Sequence, residues 1–429
     1  MSRIKKEYRN GWTWVPSLYF AEGLPYVMVM IVSVIMYKRL GISNTDIAVY
    51  TSLLYLPWVI KPLWSPFVDI LKTKRFWIIT MQLVIALGLG GIAFTVTLPS
   101  FFVLTLLFFW LIAFSSATHD IAADGFYMLG LTKHDQVWFV GFRSTFYRFA
   151  MIAGQGLLVI FAGYLEFGLN DIPMAWMISL SAIGVLFFLL FLYHNFILPF
   201  PASDGPTASA DAKSVMAEFI KTFVSFFKKD QILVILLFIL FYRFGEAQLA
   251  KLTSPFLLDP KDAGGLALST ESVGFVYGTV GVIALTLGGL LGGFLAAQKG
   301  LKHWLWWMLI AINLPDLVYV YLSFTQNSNM LIVNIMVAIE QFGYGFGFTA
   351  FLLVLIYISE GNHKTAHYAI ATGLMALGMM VPGMISGWMQ SLLGYKYFFV
   401  WVTISTLPAF VITYFLKIDP DFGKKTNEK

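Results

Sequence analysis

Apolar stretches recur about twelve times along the 429-residue chain, each roughly 20 residues long, which is the length that a helix needs to cross a bilayer core. The first six cover residues 12–37, 46–71, 76–97, 101–131, 136–165 and 173–196. The second six cover residues 231–258, 272–298, 304–324, 330–360, 366–392 and 397–416. Because 59% of the residues are hydrophobic and only 12% are charged, the pattern predicts an all-α integral membrane protein with about twelve transmembrane helices and excludes a soluble domain.

A polar segment divides these stretches into two sets of six. We therefore predict an N-terminal six-helix bundle over 1–198, a cytoplasmic linker over 199–230 and a C-terminal six-helix bundle over 231–429. The linker begins with PFPASDGPTASADAKS, which is typical of a flexible chain, and continues as VMAEFIKTFVSFFKK, which predicts an amphipathic helix on the membrane surface.

The distribution of basic residues predicts the orientation of the chain. Of the 28 Lys and Arg residues, 19 fall in segments on the side of the N-terminus and four fall on the other side. Since cytoplasmic loops retain basic residues, both termini are expected in the cytoplasm. The first apolar stretch is too long for a cleaved signal peptide, so we expect it to remain as a helix.

The composition also argues against several classes of function. The chain has no cysteine and only six histidines, none at metal-ligand spacing, so neither a metal nor a cofactor is expected. The net charge of +5 comes from loops between apolar stretches, which favours membrane orientation over nucleic acid as its cause. Ser115, Ser116, His119 and Asp120 lie in one stretch without an oxyanion-hole motif, so an enzyme is not expected.

Charged side chains inside the apolar stretches are the first candidates for function, because a charge in the membrane is costly and is kept for a role or a partner. A non-transporting sensor would not need such charges in both halves, and a channel would need a selectivity filter, which is not visible. The charges are Glu22, Asp120, Asp124, Arg143 and Arg148 in the first half and Arg243, Glu246, Lys251 and Glu340 in the second.

Six spans, a basic linker and six more spans are the layout of the major facilitator superfamily. Several strings resemble one branch of that superfamily: YFAEGLPY in the first stretch, IKPLWSPFVD in the second, FSSATHDIAADGFY in the fourth, GFRSTFYR in the fifth, FYRFGEAQLAKLTSPFLL in the seventh and IEQFGYGFGFTAFL in the tenth. On these strings the chain resembles the AmpG-type muropeptide permeases and, more distantly, the acetyl-coenzyme A transporters.

The resemblance implies a secondary transporter that works by alternating access in the inner, cytoplasmic membrane. It implies uptake, driven by protons, of the anhydro-muropeptides released during peptidoglycan recycling. The expected partners are the lipid bilayer, protons and this sugar-peptide, and we expect a monomer. The sequence does not separate this substrate from another anionic metabolite, such as a coenzyme A thioester or a sugar acid.

A ligand that carries sugar hydroxyls and carboxylates needs cations, hydrogen-bonding groups and flat rings in its site. Arg143, in the string GFR, is expected to bind a substrate carboxylate, and a structural ion pair with Asp124 is the alternative. The other substrate-binding candidates are Lys61, Arg243, Glu340, Gln341 and Tyr344. Close helix packing explains the glycines around Tyr344 at least as well as contact with a sugar does.

Asp120 and Asp124 are the first candidates for proton coupling. They lie four residues apart on one helix face, where two charged carboxylates repel each other and favour the binding of a proton. Neutralisation by Lys61 or Arg143 is an equally weighted alternative. Glu22 and Glu246 are the further proton-coupling candidates.

Glu246 has a second interpretation, because it follows Arg243 at the spacing of an internal ion pair.

Two features predict gating. Gly23 and Pro25 follow Glu22 and weaken the helix backbone, which predicts a flexible point, although a simple kink is the alternative. Asp69 lies in SPFVDILKTKR, which resembles the G-x-x-x-D-R-x-G-R-K loop of the superfamily. The resemblance implies a charge latch at Asp69, and plain positive-inside anchoring is the alternative.

Overall fold

The structure is a computed structural model that describes residues 7–205, 212–361 and 363–423. These residues form helices, turns and loops without a β-strand, as the all-α class predicts. Ten of the described segments are long and apolar enough to cross a membrane. Large apolar side chains such as Phe94 and Phe167 are exposed on such segments, which suits helices whose outer faces are covered by lipid.

The first half of the chain forms nine α-helices among the described residues. These are α1 (Val15–Val27), α2 (Ser33–Arg39), α3 (Asn44–Leu53), α4 (Leu56–Leu71), α5 (Lys74–Thr95), α6 (Phe101–Gly130), α7 (Lys133–Met151), α8 (Val159–Leu169) and α9 (Ile172–Ile197). A π-helical segment, Met28–Val32, joins α1 to α2, and a second one, Ile152–Leu158, joins α7 to α8.

The linker and the second half form ten α-helices within the described ranges. These are α10 (Ala212–Phe227), α11 (Ile232–Phe241), α12 (Phe244–Leu258), α13 (Thr270–Phe275), α14 (Val282–Lys299), α15 (Leu301–Asn313), α16 (Leu317–Thr325), α17 (Met330–Ser359), α18 (Lys364–Ser405) and α19 (Leu407–Phe415). A π-helical segment, Val276–Gly281, joins α13 to α14, and a 3-10 turn, Leu314–Asp316, joins α15 to α16.

Three of the predicted spans differ from the ten apolar segments. The second predicted span consists of α3 and α4, which are separated at Leu54 and Tyr55 and do not form one long apolar helix. The two last predicted spans are joined in the segment Ala366–Phe415. Helix α18 leaves helical geometry at Gly394 (φ 66°, ψ 165°), and its 42 residues would extend over about 63 Å if straight, twice the thickness of a bilayer core. The count of twelve spans therefore stays a prediction.

The chain forms two compact units. The N-terminal unit contains the chain up to Met36 together with Ile60–Ala217, and the C-terminal unit contains Tyr37–Val59 together with the chain from Glu218. In the N-terminal unit, α5 packs on α6 and α9, and α1 packs on α7. In the C-terminal unit, α14 and α15 pack on α17, and α12 packs on α18.

Helix α3 belongs to the first half of the sequence but packs in the C-terminal unit. Its partner is α18, and glycines explain how the two backbones approach. A Cβ atom on Gly387 would lie 2.3 Å from the carbonyl oxygen of Asn44, and one on Gly383 would lie 2.6 Å from Oγ of Ser52. Small residues one helical turn apart permit such contact.

The described ends of the predicted linker are packed against the rest of the chain. The carboxylate of Asp204 accepts hydrogen bonds from the backbone N–H groups of Lys74 (2.7 Å) and Arg75 (3.0 Å) at the start of α5. Phe226, in α10, is fully buried in the apolar core of the C-terminal unit. Residues 206–211, in the part predicted to be flexible, lie outside the described residues.

Candidate functional site

The N-terminal unit brings together five of the charged residues that the sequence analysis selected. Glu22 comes from α1, Lys61 from α4, Asp120 and Asp124 from α6, and Arg143 from α7. Lys61 forms a direct ion pair with Asp120. Nη2 of Arg143 lies 2.7 Å from Oδ1 of Asp124. Both aspartates therefore have the cationic partners that one of the two sequence interpretations anticipated.

Arg143 lies against aromatic rings and remains accessible. The centre of its guanidinium group is 4.5 Å from the ring centroid of Tyr19 and 5.2 Å from that of Tyr127. The hydroxyl of Tyr19 donates a hydrogen bond to Oδ1 of Asp124 (3.3 Å). The side chains of Arg143 and Asp124 are 31% and 44% exposed, so a ligand can reach a cation and a carboxylate at this place, whereas the two rings behind Arg143 are buried.

Glu22 differs from the two aspartates of this cluster. It is 9% exposed, it has no ion pair among the described residues, and its Oε2 atom has no hydrogen-bond partner there. It interacts electrostatically with the other four charged groups. The cluster thus holds three carboxylates and two cations, so one carboxylate lacks a compensating charge.

The predicted gating point beside Glu22 is closely packed. A Cβ atom on Gly23 would lie 3.0 Å from the carbonyl oxygen of Tyr147 in α7. Pro25 is buried inside α1, and the helix widens to the π-helical segment Met28–Val32 soon after it. For Asp69, the other gating candidate, the side chain lies outside the part of the chain that the structure describes.

A buried polar network lies next to the cluster. Nε2 of His119 is 3.0 Å from Nε2 of Gln82, and Oε1 of Gln82 is 2.9 Å from Nδ1 of His194. Nε2 of His194 is in turn 2.9 Å from Oγ of Ser17. These contacts join α6, α5, α9 and α1. Gln82 lies between the two histidines, and a carboxamide does not readily take up or release a proton, so this network is a poor proton relay.

The C-terminal unit holds a second arginine against two rings. Arg243 lies between α11 and α12 in a non-helical conformation (φ −115°, ψ 22°). The centre of its guanidinium group is 4.6 Å from the ring centroid of Phe348 and 5.2 Å from that of Tyr344, and Nη2 donates to the hydroxyl of Tyr344. The predicted ion pair between Arg243 and Glu246 is not among the ion pairs of the described residues, because Arg243 is outside the helix that carries Glu246.

Glu340 and Gln341 are buried and bonded to each other. Nε2 of Gln341 donates to both carboxylate oxygens of Glu340 (3.0 and 3.1 Å) and to the hydroxyl of Tyr277 (3.1 Å). Oε2 of Glu340 also accepts a hydrogen bond from the hydroxyl of Tyr319 (3.1 Å). The donors of Gln341 are thus already used, so these two residues do not offer free groups to a sugar in this conformation.

The glycines of this region serve helix packing. A Cβ atom would lie 2.1 Å from the carbonyl oxygen of Ala311 if placed on Gly343, and 2.0 Å from that of Leu285 if placed on Gly345. Helix α17 therefore contacts α14 and α15 through its backbone. The alternative of close packing accounts for these glycines.

A polar network that the sequence did not predict lies at the ends of α2, α3 and α12 and beside the Gly394 kink of α18. Nζ of Lys38 lies 2.5 Å from Oδ1 of Asp259. Oδ2 of Asp259 accepts a hydrogen bond from the hydroxyl of Tyr395 (2.6 Å) and from Nδ2 of Asn44 (3.3 Å). Each residue lies at the edge of a predicted span, where charges are common, so the sequence held no signal that they meet.

Lys251 lies in the same unit without a carboxylate within 4 Å among the described residues. It is buried, and its Nζ atom donates to Oγ1 of Thr51 (2.9 Å) and lies 5.5 Å from the ring centroid of Tyr55. Helix α3 thus covers a lysine that is compensated only by a hydroxyl and a ring.

The ten apolar helices and the charges retained inside them are those of a multi-pass membrane protein, and the relatives and solved structures that the chain resembles are transporters. The solved structure of the nucleoside transporter NupG superposes with a TM-score of 0.69 at 14% identity and covers 94% of this chain and 98% of that chain. A bacterial homologue of the human lysosomal transporter Spinster superposes with a TM-score of 0.67 at 14% identity and covers 94% of both chains. At these sequence identities the superpositions show a shared fold and nothing about the substrate.

Within that class the chain resembles the AmpG-type muropeptide permeases, as its sequence strings predicted. AmpG 4, a transporter of Rickettsia conorii, is 26% identical in a 433-residue alignment that covers 97% of this chain and 98% of that protein. The anhydromuropeptide permease of Escherichia coli is 24% identical in a 402-residue alignment that covers 92% of this chain and 77% of the permease. No family model matches the chain. These relatives are transporters rather than enzymes.

Proposed function

We propose that this chain takes up anhydromuropeptides into the cytoplasm, that protons drive the uptake, and that it acts as a monomer. The substrate class is supported by the similarity to the anhydromuropeptide permease, which extends over most of both chains. The observation that carries the mechanism is the charged cluster of the N-terminal unit, in which carboxylates outnumber cations within a membrane protein.

The chemistry of the two arginines supports a sugar-peptide as the ligand. Arg143 can exchange its bond with Asp124 for a bond with a substrate carboxylate, since both side chains are partly exposed. The partly exposed rings of Tyr344 and Phe348 beside Arg243 suit the flat faces of sugars. A site with nearly balanced charges fits a zwitterionic peptide better than a nucleotide-bearing anion, which would need an excess of cations.

We place the coupling proton on Glu22. Asp120 and Asp124 each have a cation as partner, whereas Glu22 is buried with an unpartnered oxygen. An isolated carboxylate in a low-dielectric environment is strongly disfavoured relative to its protonated form. When Arg143 binds the substrate, Asp124 loses its partner, so substrate and proton are linked through one cluster of charges.

Replacing Glu22 by glutamine is therefore expected to abolish accumulation driven by a proton gradient while substrate counterflow persists. Glutamine keeps the shape of the side chain but cannot release a proton. The measurement is uptake of labelled anhydromuropeptide into proteoliposomes, with and without an inward proton gradient. Glu166→Gln is the matched control, because Glu166 is equally buried in the same unit but accepts a hydrogen bond from Nε1 of Trp176 (2.9 Å).

Gradient-driven accumulation by Glu22→Gln would contradict the assignment of the proton. Loss of gradient dependence in Asp124→Asn together with gradient-driven accumulation by Glu22→Gln would move the proton to Asp124. Folded wild-type protein that ignores anhydromuropeptide but accumulates another anion, such as a coenzyme A thioester, would retain transport and overturn the substrate.

For gating we propose a polar latch formed by Lys38, Asn44, Asp259 and Tyr395. These residues lie at helix ends and at the kink of α18, on the side that is expected to face away from the cytoplasm. Their contacts hold α3 against α12 and α18. Gly23, Pro25 and Asp69 remain the candidates for gating elsewhere in the chain. Opening of the latch would uncover Lys251, a cation that an incoming carboxylate can bind.

Breaking this latch is expected to expose α3 from the outside. Asp259→Asn removes the ion pair with Lys38, which is about 15% exposed, so we expect a cost of about 1 kcal/mol and labelling about fivefold to tenfold faster. The probe is Ser52→Cys, which is fully buried in the native protein and unique in a chain without cysteine. The rate at which this cysteine reacts with a membrane-impermeant maleimide is the labelling rate that we compare. Asp262→Asn, an exposed neighbour, is the control, and equal rates in both backgrounds would refute the latch.

A further inference from the structure

The C-terminal unit contains a group of carboxylates to which the proposed mechanism assigns no role. Asp316, Glu340 and Glu246 are 1%, 1% and 3% exposed. They lie in the 3-10 turn, in α17 and in α12, and Glu246 interacts electrostatically with both of the others.

The backbone around Asp316 explains how the group is assembled. Pro315 has no N–H group, so the carbonyl of Ala311 loses its helical partner and the helix is interrupted between α15 and α16. Gly343 in α17 packs directly on this interruption, since a Cβ atom there would lie 2.1 Å from the oxygen of Ala311 and 2.8 Å from Cγ of Pro315. Glu340 lies one turn earlier in α17, which brings its carboxylate toward Asp316.

The polar contacts of the three carboxylates are unequal. Glu340 accepts hydrogen bonds from Tyr319 and Gln341. Neither carboxylate oxygen of Asp316 has a hydrogen-bond partner among the described residues, and Oε2 of Glu246 has none there either. Asp316 is thus a carboxyl group enclosed in a membrane protein without any donor to stabilise its charge.

Cations do not compensate for these carboxylates. Arg243 is the cation that interacts with Glu246, and its guanidinium group is directed to the rings of Tyr344 and Phe348. One cation against three carboxylates leaves an excess of two negative charges, and burial of even one uncompensated carboxylate costs far more than its protonation.

The other titratable groups around Asp316 do not remove this excess. Tyr319 in α16 donates to Glu340, and Tyr277 in the π-helical segment Val276–Gly281 contacts Gln341. In α18, which also packs on the turn, Tyr395 donates to Asp259. No group of residues able to hold a metal ion occurs among the described residues. We therefore attribute neutralisation of the excess negative charge to protons bound by the carboxylates.

We propose that Asp316 is a second proton-binding site, located in the C-terminal unit and separate from the cluster around Glu22. Asp316 holds its proton in the enclosed conformation seen here and exchanges it when the interrupted helix α15–α16 moves relative to α17. The claim that Asp316 takes part in coupling rests on the proposed function, and it raises the number of protons moved per substrate by one. The claim that Asp316 is protonated does not depend on which substrate the chain transports.

The test is infrared difference spectroscopy of the full chain in lipid nanodiscs at neutral pH, recorded on exchange from H2O to D2O. We expect a protonated-carboxyl band in addition to that of Glu22. This additional band disappears in Asp316→Asn and shifts in Asp316→Glu, which keeps the carboxyl group if the asparagine variant does not fold. Glu271→Gln, which removes an exposed carboxylate, is expected to leave the band unchanged. A band that is the same in wild type and both Asp316 variants would overturn the proposal, as would a band that sodium removes in the wild type.

Proton counting then separates this site from the proposed function. With a pH-sensitive dye in proteoliposomes, the ratio of protons to substrate is expected to fall by one in Asp316→Asn relative to wild type. An unchanged ratio would refute coupling at Asp316. Failure of the chain to accept anhydromuropeptide would refute the substrate, while the infrared result would still decide whether Asp316 is protonated.

Discussion

Alanine at Gly345 is expected to destabilise the protein strongly, whereas alanine at Gly293 is expected to leave it as stable or slightly more so. A Cβ atom on Gly345 would lie 2.0 Å from the carbonyl oxygen of Leu285 and 3.0 Å from the backbone nitrogen of Gly289. Both obstructing atoms belong to the backbone of α14, so no side-chain rotation relieves the clash. Overpacking of this kind costs about 1–3 kcal/mol or more.

Gly293 provides the matched comparison because it lies in α14, the helix against which Gly345 packs. Nothing lies within 4 Å of a Cβ atom placed on Gly293, and alanine in a helix is favoured over glycine by about 1 kcal/mol. The measurement is the midpoint of thermal aggregation of detergent-solubilised protein, followed by size-exclusion chromatography. If Gly345→Ala is as stable as Gly293→Ala, the backbones of α14 and α17 do not approach each other at Gly345 as described.

Much of the first charged cluster could be predicted from the sequence. Asp120 and Asp124 share a helix face at a spacing that any α-helix reproduces, and the apolar residues around Lys61 and Arg143 leave few other partners for such charges. The ion pairs therefore follow from local spacing and the cost of charge in a membrane. The glycines of α17 were likewise open to the packing interpretation, because small residues recur there at helical spacing.

The second cluster could not be predicted in the same way. The spacing of Arg243 and Glu246 indicates an ion pair only if both residues lie in one helix, and the chain breaks between α11 and α12 at Arg243 itself. Asp316 meets Glu340 because Pro315 interrupts a helix and Gly343 allows α17 to approach. Such contacts depend on packing between elements that are distant in sequence, which periodicity does not reveal.

The position of α3 is a further contact that sequence periodicity does not reveal. In sequence it belongs to the first half, and its composition gives no reason to separate it from α4. It packs with α18 because Gly383 and Gly387 leave space for Ser52 and Asn44, and the pairing of Lys38 with Asp259 reinforces that contact. The grouping is therefore set by glycines more than 300 residues away along the chain.

Each unit presents an arginine between two aromatic rings, although the arginines come from different local structures. Arg143 lies within α7 and pairs with Asp124, whereas Arg243 caps α12 and bonds to Tyr344. Stacking on rings holds a guanidinium group in the membrane without neutralising it. The two arginines differ in access, since the side chain of Arg143 is 31% exposed whereas Arg243 is buried.

The charge balance of the N-terminal cluster leads to the second large effect, at Lys61 and Asp120. Lys61→Met is expected to reduce uptake at least tenfold, because it leaves three carboxylates with one cation and an additional proton must bind to compensate. Asp120→Asn is expected to fail differently: two carboxylates then face two cations, no excess charge remains, and uptake loses its dependence on the proton gradient.

The double variant Lys61→Met/Asp120→Asn is expected to recover much of the uptake that each single variant loses, with gradient dependence restored. It keeps Glu22 and Asp124 against Arg143, which is the same excess of one carboxylate as in the native protein. Removing one partner of an enclosed ion pair also costs stability, about 1–3 kcal/mol for side chains that are 27% and 22% exposed, and the double variant should regain most of it. Gradient-dependent uptake and thermal midpoints are measured for the wild type, both single variants and the double variant, which together form a double-mutant cycle. Additive losses in the double variant would show that Lys61 and Asp120 act independently, and that the charge count of this cluster does not govern proton coupling.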